Sequence, residues 1–567
     1  MNDIDTQITS WAKNNFGPEF TFRPHQFDTI KNILETHLSL GEKTQVAQCP
    51  CGSGKSIIAF IVAGVLADYY NQKSYILASD TALFDQYEAE IKKFNLPFGS
   101  LKGKDNYRCN RNGKSVQFSE CRSDIMSLLR DEKTATWPCE GNCKYVCSFK
   151  KAARSKVTVM TYQLYLAAMD CQSMLGEHFK KRHFIICDEA HNLPGIVQEF
   201  ASPTFSVGEE YEDFLVIYKH AEQEENKHSL THPSIFKELQ QVSETIFETK
   251  NSDDVIKLLN FYKQYLEPYF DYATKLAEKH SKELDDKTLK SLNKVLYTSR
   301  KFGSCNYTNK DLIAHCVQKD ISTSFKYARE SSLVKVFFHD RTNSQLLMSA
   351  TIGNIDIYKS VIDQPKVNYI ETPHIFNYGA SPIFYQSANR MSFREKKDSI
   401  GPMIKQIEEI CKSNEKVKGV IQTGSFEFSK ELYNRASPEL RHRLINYENA
   451  KDKKEALELL KSSFNKILIG PSLLEGLDLF DDLCRFIIVM KVPYASLGDS
   501  LVLKKKELYP GWYNADVCNK LEQGVNRHVR NDRDWGVTYI LDGCFADLKN
   551  YSEVYMSENF KSRLCKL

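Results

Sequence analysis

At 567 residues the chain is too long for one compact core, and its 42% apolar and 26% charged residues describe an ordinary globular protein. Its 76 basic and 73 acidic side chains leave a formal charge of +3, so any nucleic-acid path must come from local clustering and not from bulk charge. The start, Met1 to Asp5, has neither a basic nor an apolar secretory pattern, and the longest apolar stretch, Ile57 to Ala67, is about half of the ~20 residues of a membrane span.

In chain order, Arg23-Pro24-His25-Gln26 comes first, where adenine recognition is expected, followed by the loop Gly52-Ser53-Gly54-Lys55-Ser56. Glycines 52 and 54 let backbone amides turn inward around an anion with no Cβ in the way. In such a loop Lys55 neutralises the β/γ-phosphates of ATP and the Ser56 hydroxyl sits on Mg2+. Ile57 to Ala67 then reads as the buried helix behind the loop. Cys49 stands where the pattern usually has its first glycine.

Short apolar runs rich in β-branched residues alternate with helical patterns. They are Tyr75–Leu77, Val157–Met160, Phe184–Cys187 and Gln345–Met348, then Gly419–Ile421, Lys466–Ile469, Phe486–Val489 and Val537–Leu541. Continuous apolar strands between helices predict parallel sheets covered on both faces, and a break near residue 375 predicts two α/β lobes. Two segments interrupt this rhythm. Residues 101–150 are polar and Cys-rich. Residues 200–335 read as helical, with Val255, Leu258, Leu259, Tyr262 and Leu266 on one face, and Phe261, Tyr265, Tyr269 and Phe270 as packing aromatics.

Asp188-Glu189-Ala190-His191 follows the strand Phe184–Cys187, so two carboxylates emerge at the carboxyl end of a strand, where a parallel sheet presents its chemistry. Asp188 can hold Mg2+ through water, Glu189 can polarise the attacking water, and His191 can report nucleotide state to its neighbours. Taken singly, each motif has a plain explanation as a Gly/Ser turn or a helix cap. Together, in this strand order, they point to a nucleotide motor.

The 16 cysteines, without a secretory pattern, argue for a reducing compartment: cytoplasmic, or the host cytoplasm for a viral chain and the nucleus for a eukaryotic one. Cys109, Cys121, Cys139, Cys143 and Cys147 crowd the segment between the two motifs. Four thiolates suit a [4Fe–4S] cluster or a tetrahedral zinc, though a zinc knuckle more typically has two-residue spacers. The four-residue spacing of the last three also fits a buried helix face, against which Pro138 and Gly141 argue.

Farther along, Thr81–Gln86 follows the second strand, Ser349-Ala350-Thr351 ends the fourth, Leu474-Glu475-Gly476-Leu477-Asp478 follows Lys466–Ile469, and Gln523, Arg527 and Arg530 precede the last strand. Two arginines three apart on a helix share a face and can reach one γ-phosphate across a cleft. In this order the motifs resemble the iron–sulfur branch of superfamily 2 helicases, the XPD/DinG-like family, from about Phe22 to Asp542. The most specific pieces are Leu101–Cys109, Cys147–Ala152 and Leu474–Asp478.

The resemblance implies an α/β fold of two RecA-like parallel-sheet lobes, with a Cys-rich Fe–S insert and a helical, Arch-like insert in the first lobe. The first lobe then comprises 1–100, 151–199 and 336–374; the inserts are 101–150 and 200–335; the second lobe is 375–567. Implied catalytic residues are Lys55, Asp188, Glu189, His191, Gln523, Arg527 and Arg530. Nucleotide contacts fall to Arg23, Gln26, Gly52, Ser53, Gly54, Lys55, Ser56, Glu475, Gly476 and Asp478, and Mg2+ to Ser56 and Asp188. The family brackets assign Cys109 and Cys147 to the cluster; Cys139 and Cys143 complete the set, with Cys121 as alternate ligand. The implied activity is ATP-driven 5′-to-3′ movement on single-stranded DNA with unwinding at duplex junctions, by a monomer without a membrane partner.

Cys49 and Asn526, the latter where the family's last motif usually places glycine, depart from the pattern. Phosphate contacts are expected near Thr81, Tyr162 and Thr423, stacking at Tyr107, and Lys504-Lys505-Lys506 reads as a solvated helix face. Two other readings share parts of the pattern: a DEAH-type RNA helicase with a structural zinc insert, and an ATP-gated single-strand-binding scaffold without unwinding.

Overall fold

The computed structural model describes residues 4–567 except 41–42, 51, 112, 114, 117–142, 170–177, 225–229, 250–251, 281–283, 305–311, 318–321, 375–377, 448–451, 474–478, 480, 527–528 and 530–533. Cys121, Cys139, Glu475, Gly476, Asp478, Arg527 and Arg530 therefore lie outside the described residues.

Strands β1 (Thr44–Gln48), β2 (Ser74–Ala78), β3 (Gly99–Leu101), β4 (Val157–Thr161) and β5 (Phe184–Asp188) are followed by β6 (Thr204–Ser206), β7 (Leu312–Val317) and β8 (Ser322–Tyr327), then by β9 (Ser344–Ser349) and β10 (Asn368–Glu371). The first sheet runs β10-β1-β9-β5-β2-β4-β3, with every pair parallel. After it come β11 (Ile383–Tyr385), β12 (Gly419–Gln422), β13 (Leu444–Asn446), β14 (Ile467–Gly470), β15 (Phe486–Val489), β16 (Val537–Ile540) and β17 (Leu564–Lys566). These form a second parallel sheet, β13-β14-β12-β15-β16-β11-β17. The fold is thus two RecA-like lobes.

Both sheets are sandwiched between helices, which is why their central strands are apolar on both faces. The helix Lys55–Tyr69 is buried continuously from Ile58 to Ala67, since β2, β4 and β5 lie on one side and the helices Ile4–Phe16 and Gln26–Glu35 on the other. Each fully buried Ile, Val or Phe of this run stabilises the lobe by about 1.5–3 kcal/mol. Gly64 sets the approach of the outer layer, because a Cβ there would lie 2.0 Å from the Trp11 ring. No helix among the described residues is long and apolar enough to cross a membrane.

The 200–335 segment is not purely helical. Helices Tyr211–Gln223, Ile235–Thr249, Ser252–His280 and Asp286–Ser304 pack with an antiparallel sheet, β6-β8-β7. Val255, Leu258, Leu259, Tyr262 and Leu266 face the shared core, joined by Phe205 and Phe325 from the strands. Tyr269 is buried there too, whereas Phe261 is 49% exposed and does not pack as expected.

The lysine run is solvated only in part, because the Lys505 side chain is largely buried. Lys505 Nζ lies 2.5 Å from Glu330 of the helix Glu330–Phe337, and both side chains are largely buried. Ser331 N donates to Tyr509 Oη at 3.0 Å beside this pair. Lys506 sits over the Tyr513 ring and Lys504 pairs with Glu507. This strut fastens the helix Ser500–Leu508 of the second lobe to the first lobe.

Candidate active site

Strands β1, β9 and β5 are neighbours, and their register places Gln48 beside Ser349 and Asp188 beside Met348. Three segments distant in sequence therefore leave the sheet at one edge: the phosphate-type loop after β1, the Ser-Ala-Thr turn after β9 and the acidic box after β5. Lys55 begins the helix behind the loop, with Gly54 in the left-handed conformation (φ 77°) as its N-cap. A Cβ on Gly54 would also come within 2.5 Å of Gln26 Nε2, so this position requires glycine twice over.

Gln26 is 2% exposed, and its amide braces the loop: Nε2 donates to Ser53 O at 3.0 Å and to Gly54 O at 3.3 Å, while Oε1 accepts from Arg23 N at 3.2 Å. Arg23 Nη1 donates to Gly52 O. Cys49 is tolerated because it extends the β1 ladder, donating from its backbone N to Ser349 O at 2.8 Å, and it is not among the left-handed residues. Burial pushes its thiol up to about 11, so it behaves as a packed, neutral group. Its Sγ lies 3.6 Å from Thr372 Oγ1.

Glu189 adopts a left-handed backbone (φ 53°), a conformation that costs a non-glycine residue about 1–3 kcal/mol and concentrates at functional sites. The turn directs its carboxylate back over the loop, where Oε1 is 3.1 Å from Lys55 Nζ. Burial alone would raise its pKa, but Lys55, then His191, and hydrogen bonds from Lys55 and Ser349 outweigh burial and hold Glu189 ionised. Asp188 is 2% exposed, and burial raises its pKa against the pull of Lys55. Tyr87 Oη donates to Asp188 Oδ2 at 2.8 Å, and Glu189 N donates to Oδ1 at 2.9 Å. His191 Nδ1 lies 2.7 Å from Ser349 Oγ, which also donates to Glu189 Oε2 at 3.3 Å. The acidic box and the Ser-Ala-Thr turn thus share one hydrogen-bonded cluster.

Sequence reasoning missed Tyr87 and Glu90, both on the helix Thr81–Lys93. Burial raises the pKa of Glu90 against the pull of the nearby Ser56 hydroxyl. Nothing in the composition of that helix marks either residue; only the strand order brings them over the site. The donor set suits a nucleotide with Mg2+: one ammonium, one hydroxyl and two carboxylates converge, and Ser53 Oγ is buried with no hydrogen-bond partner among the described residues.

From the second lobe, the helix Trp512–Val525 brings Asn519 to the turn after β9, where a Cβ on Gly353 would lie 3.3 Å from the Asn519 side chain. Asn519 Oδ1 and Gln523 Nε2, one turn apart on this helix, and Thr351 Oγ1 are buried without hydrogen-bond partners among the described residues. Gln523 is thereby placed on the helix that faces the first lobe.

The metal assignments are placed only in part. Cys143 caps the helix Lys144–Arg154, and Cys147 N donates to Cys143 O at 3.0 Å one turn on. Cys109 is 7% exposed and begins a tight turn closed by Gly113 N. Among the described residues no three His, Cys, Asp or Glu side chains form a metal-holding group, so Cys109, Cys143 and Cys147 do not make a site by themselves.

Of the residues expected near a nucleic-acid strand, Tyr162 and Thr423 are turned inward. Tyr162 is fully buried and donates to Asp188 O at 3.1 Å, supporting the acidic box. Thr423 Oγ1 is occupied by Ser425 O and Ser429 Oγ. Tyr107 accepts from Lys102 N and packs edge-on against Tyr145. Thr81, at the start of its helix, is exposed.

A family model described as a helicase C-terminal domain matches residues 407–562, and one described as the res subunit of a type III restriction enzyme matches residues 19–221. The ATP-dependent DNA helicase YoaA of Haemophilus influenzae is 21% identical over 616 residues, covering 92% of this chain and 92% of that protein. The Fanconi anemia group J protein homolog of Gallus gallus is 30% identical over 112 residues, 16% of this chain and 9% of that protein. Among solved structures, an XPD helicase has a TM-score of 0.61 at 15% identity, and S. tokodaii Xpd4 a TM-score of 0.59 at 15%; each covers 96% of this chain and 100% of its own. At that identity the likeness is one of fold. With the nucleotide motifs at neighbouring strand ends and a YoaA relative aligned over 92% of both chains, the chain resembles the XPD/DinG-like superfamily 2 helicases.

Proposed function

We propose that the chain is an ATP- and Mg2+-dependent DNA helicase that moves 5′ to 3′ along single-stranded DNA and opens duplex junctions. The meeting of Lys55, Asp188, Glu189 and Ser349 at neighbouring strand ends carries this reading. The relative YoaA, described as a DNA helicase, favours DNA over RNA as the polymer. Lys55 neutralises the β/γ-phosphates, and Glu189, held ionised, orients and polarises the attacking water. Ser56 and Asp188 would hold Mg2+, which when bound would supply charge neutralisation for the phosphates. His191 links Glu189 through Ser349 to the turn against which Asn519 packs, giving the second lobe a contact that responds to hydrolysis. Arg23 and Gln26 hold the loop in shape from behind. Gln523, Arg527 and Arg530, with Glu475, Gly476 and Asp478, complete the site from the second lobe, and lobe closure moves one strand.

A [4Fe–4S] cluster on Cys109, Cys139, Cys143 and Cys147, with Cys121 as alternate ligand, is part of the same proposal. The all-thiolate donor set and the bracketing segments support it. When bound, it supplies a rigid cross-link within 101–150, and no hydrolysis step passes through it.

The test is ATP hydrolysis by the full chain with single-stranded DNA or RNA, beside iron analysis of anaerobically purified protein. DNA stimulation exceeding RNA stimulation, with iron bound, is the expected result. Equal stimulation by RNA with bound zinc replaces it with an RNA helicase. ATP-dependent strand binding without displacement of an annealed oligonucleotide replaces it with a clamp.

A further inference from the structure

We propose that Arg563 is a positioning residue for ATP turnover, clamping the end of the helix Trp512–Val525 to the inter-lobe connection through Asn526 and Ser381. This rests on the function proposed above and adds a part to it.

Arg563 is 5% exposed and sits between the helix Glu558–Ser562 and β17. Its guanidinium reaches two distant segments. Nε donates to Ser381 O at 2.8 Å and Nη2 to Ser381 Oγ at 2.7 Å. Nη1 donates to Asn526 Oδ1 at 2.6 Å, with longer contacts of 3.5 Å to Asn559 Oδ1 and, from Nη2, to Val525 O. A buried planar fork with fixed acceptors holds a defined geometry, because little rotamer freedom remains to be lost.

Ser381 is fully buried and ends the connection that leads into β11, the entry to the second sheet. The other end of that connection is fastened to the first lobe. Thr372 N donates to Gln48 O at 2.9 Å, and Thr372 Oγ1 lies 3.0 Å from Thr29 Oγ1 and 3.6 Å from Cys49 Sγ. The two departures from the family pattern, Cys49 and Asn526, therefore meet the two ends of one connection. Cys49 touches Thr372 directly, and Asn526 reaches Ser381 through Arg563.

Asn526 is the C-cap of its helix with φ −91°, so glycine is not required there. A glycine would remove the 2.6 Å hydrogen bond that Asn526 Oδ1 accepts from Nη1. The next residue in sequence is Arg527, so the clamp fixes where the chain departs toward the arginines assigned to the γ-phosphate. Misplacement of a charge-stabilising group by about 1 Å can reduce turnover on the order of 100-fold.

The test uses the full chain with single-stranded DNA, measuring kcat and KM for ATP well below every variant's melting temperature. Asn526→Ala and Arg563→Gln should each lower kcat about tenfold or more while KM stays within about twofold. Asn526→Asp keeps an acceptor for Arg563 and should retain kcat within about threefold. The proposal is overturned if Asn526→Ala turns over like the wild type, if Asn526→Asp loses as much as Asn526→Ala, or if every loss matches the unfolded fraction. A wild-type chain that hydrolyses no ATP removes the proposed function and this role with it. A hydrolysing wild type with an equally active Asn526→Ala removes only this role.

Discussion

Lys55 Nζ lies 3.1 Å from Glu189 Oε1, so the cation assigned to the phosphates also sets the charge of the assigned base. Burial pushes Glu189 toward the protonated form, and Lys55 is the strongest force opposing it. Lys55→Ala therefore removes two contributions at once, phosphate neutralisation and an ionised Glu189. DNA-stimulated hydrolysis should fall by about 100-fold or more with little change in melting temperature. A variant that keeps its turnover contradicts the role.

Tyr87 supplies the hydrogen bond to Asp188 Oδ2 inside the lobe. Tyr87→Phe preserves the ring, which packs against Phe60, and deletes only the donor. A buried carboxylate oxygen left without its partner costs about 1–3 kcal/mol, read as a lower denaturant midpoint with an unchanged slope. An unchanged midpoint would show that the bond contributes nothing.

Glu522 offers a pH test separate from the nucleotide site. Burial pushes its carboxyl up to about 7, although Ser557 N donates to it at 2.7 Å and Arg563 and Lys561 pull it down. Its folded pKa lies above the ordinary value of 4.5, so the unfolded chain ionises first as pH rises. Below about 4.5 both states are protonated; between about 4.5 and 7 stability falls with rising pH, and above that it levels off. Glu522→Gln should reduce the drop in melting temperature between pH 5 and pH 8. The same drop in both proteins contradicts the assignment.

The buried pair Glu330–Lys505 joins the lobes, with burial raising the Glu330 pKa against the pull of Lys505. Removing one partner leaves an uncompensated charge, a loss of about 3–5 kcal/mol. Glu330→Met and Lys505→Met should each destabilise more than half as much as the double substitution, because the double leaves no charge behind. Strictly additive losses in a double-mutant cycle would show the pair to be uncoupled.

The parts legible in the sequence were those with strong periodicity. All eight apolar runs became strands, and the motifs at their ends converge because β1, β9 and β5 are adjacent. Strand β1 was hidden because it carries polar residues, yet Gln45 is fully buried and donates to Ile33 O. Strands β7 and β8 escaped notice because Ser322-Thr323-Ser324 looks like a loop until Phe325 is seen in the insert core. Lys505 resembled its exposed neighbours because its partner, Glu330, lies far away in sequence. Tyr87, Glu90 and Arg563 act through residues brought together only by the fold, so no local pattern announces them.

The most direct measurement is displacement of a labelled strand from a forked DNA duplex with a 5′ single-stranded tail, by the anaerobically purified full chain with ATP and Mg2+. Displacement that requires ATP hydrolysis and is lost in Lys55→Ala is the expected result. A wild-type chain that binds the fork and hydrolyses ATP yet never separates the strands would contradict it.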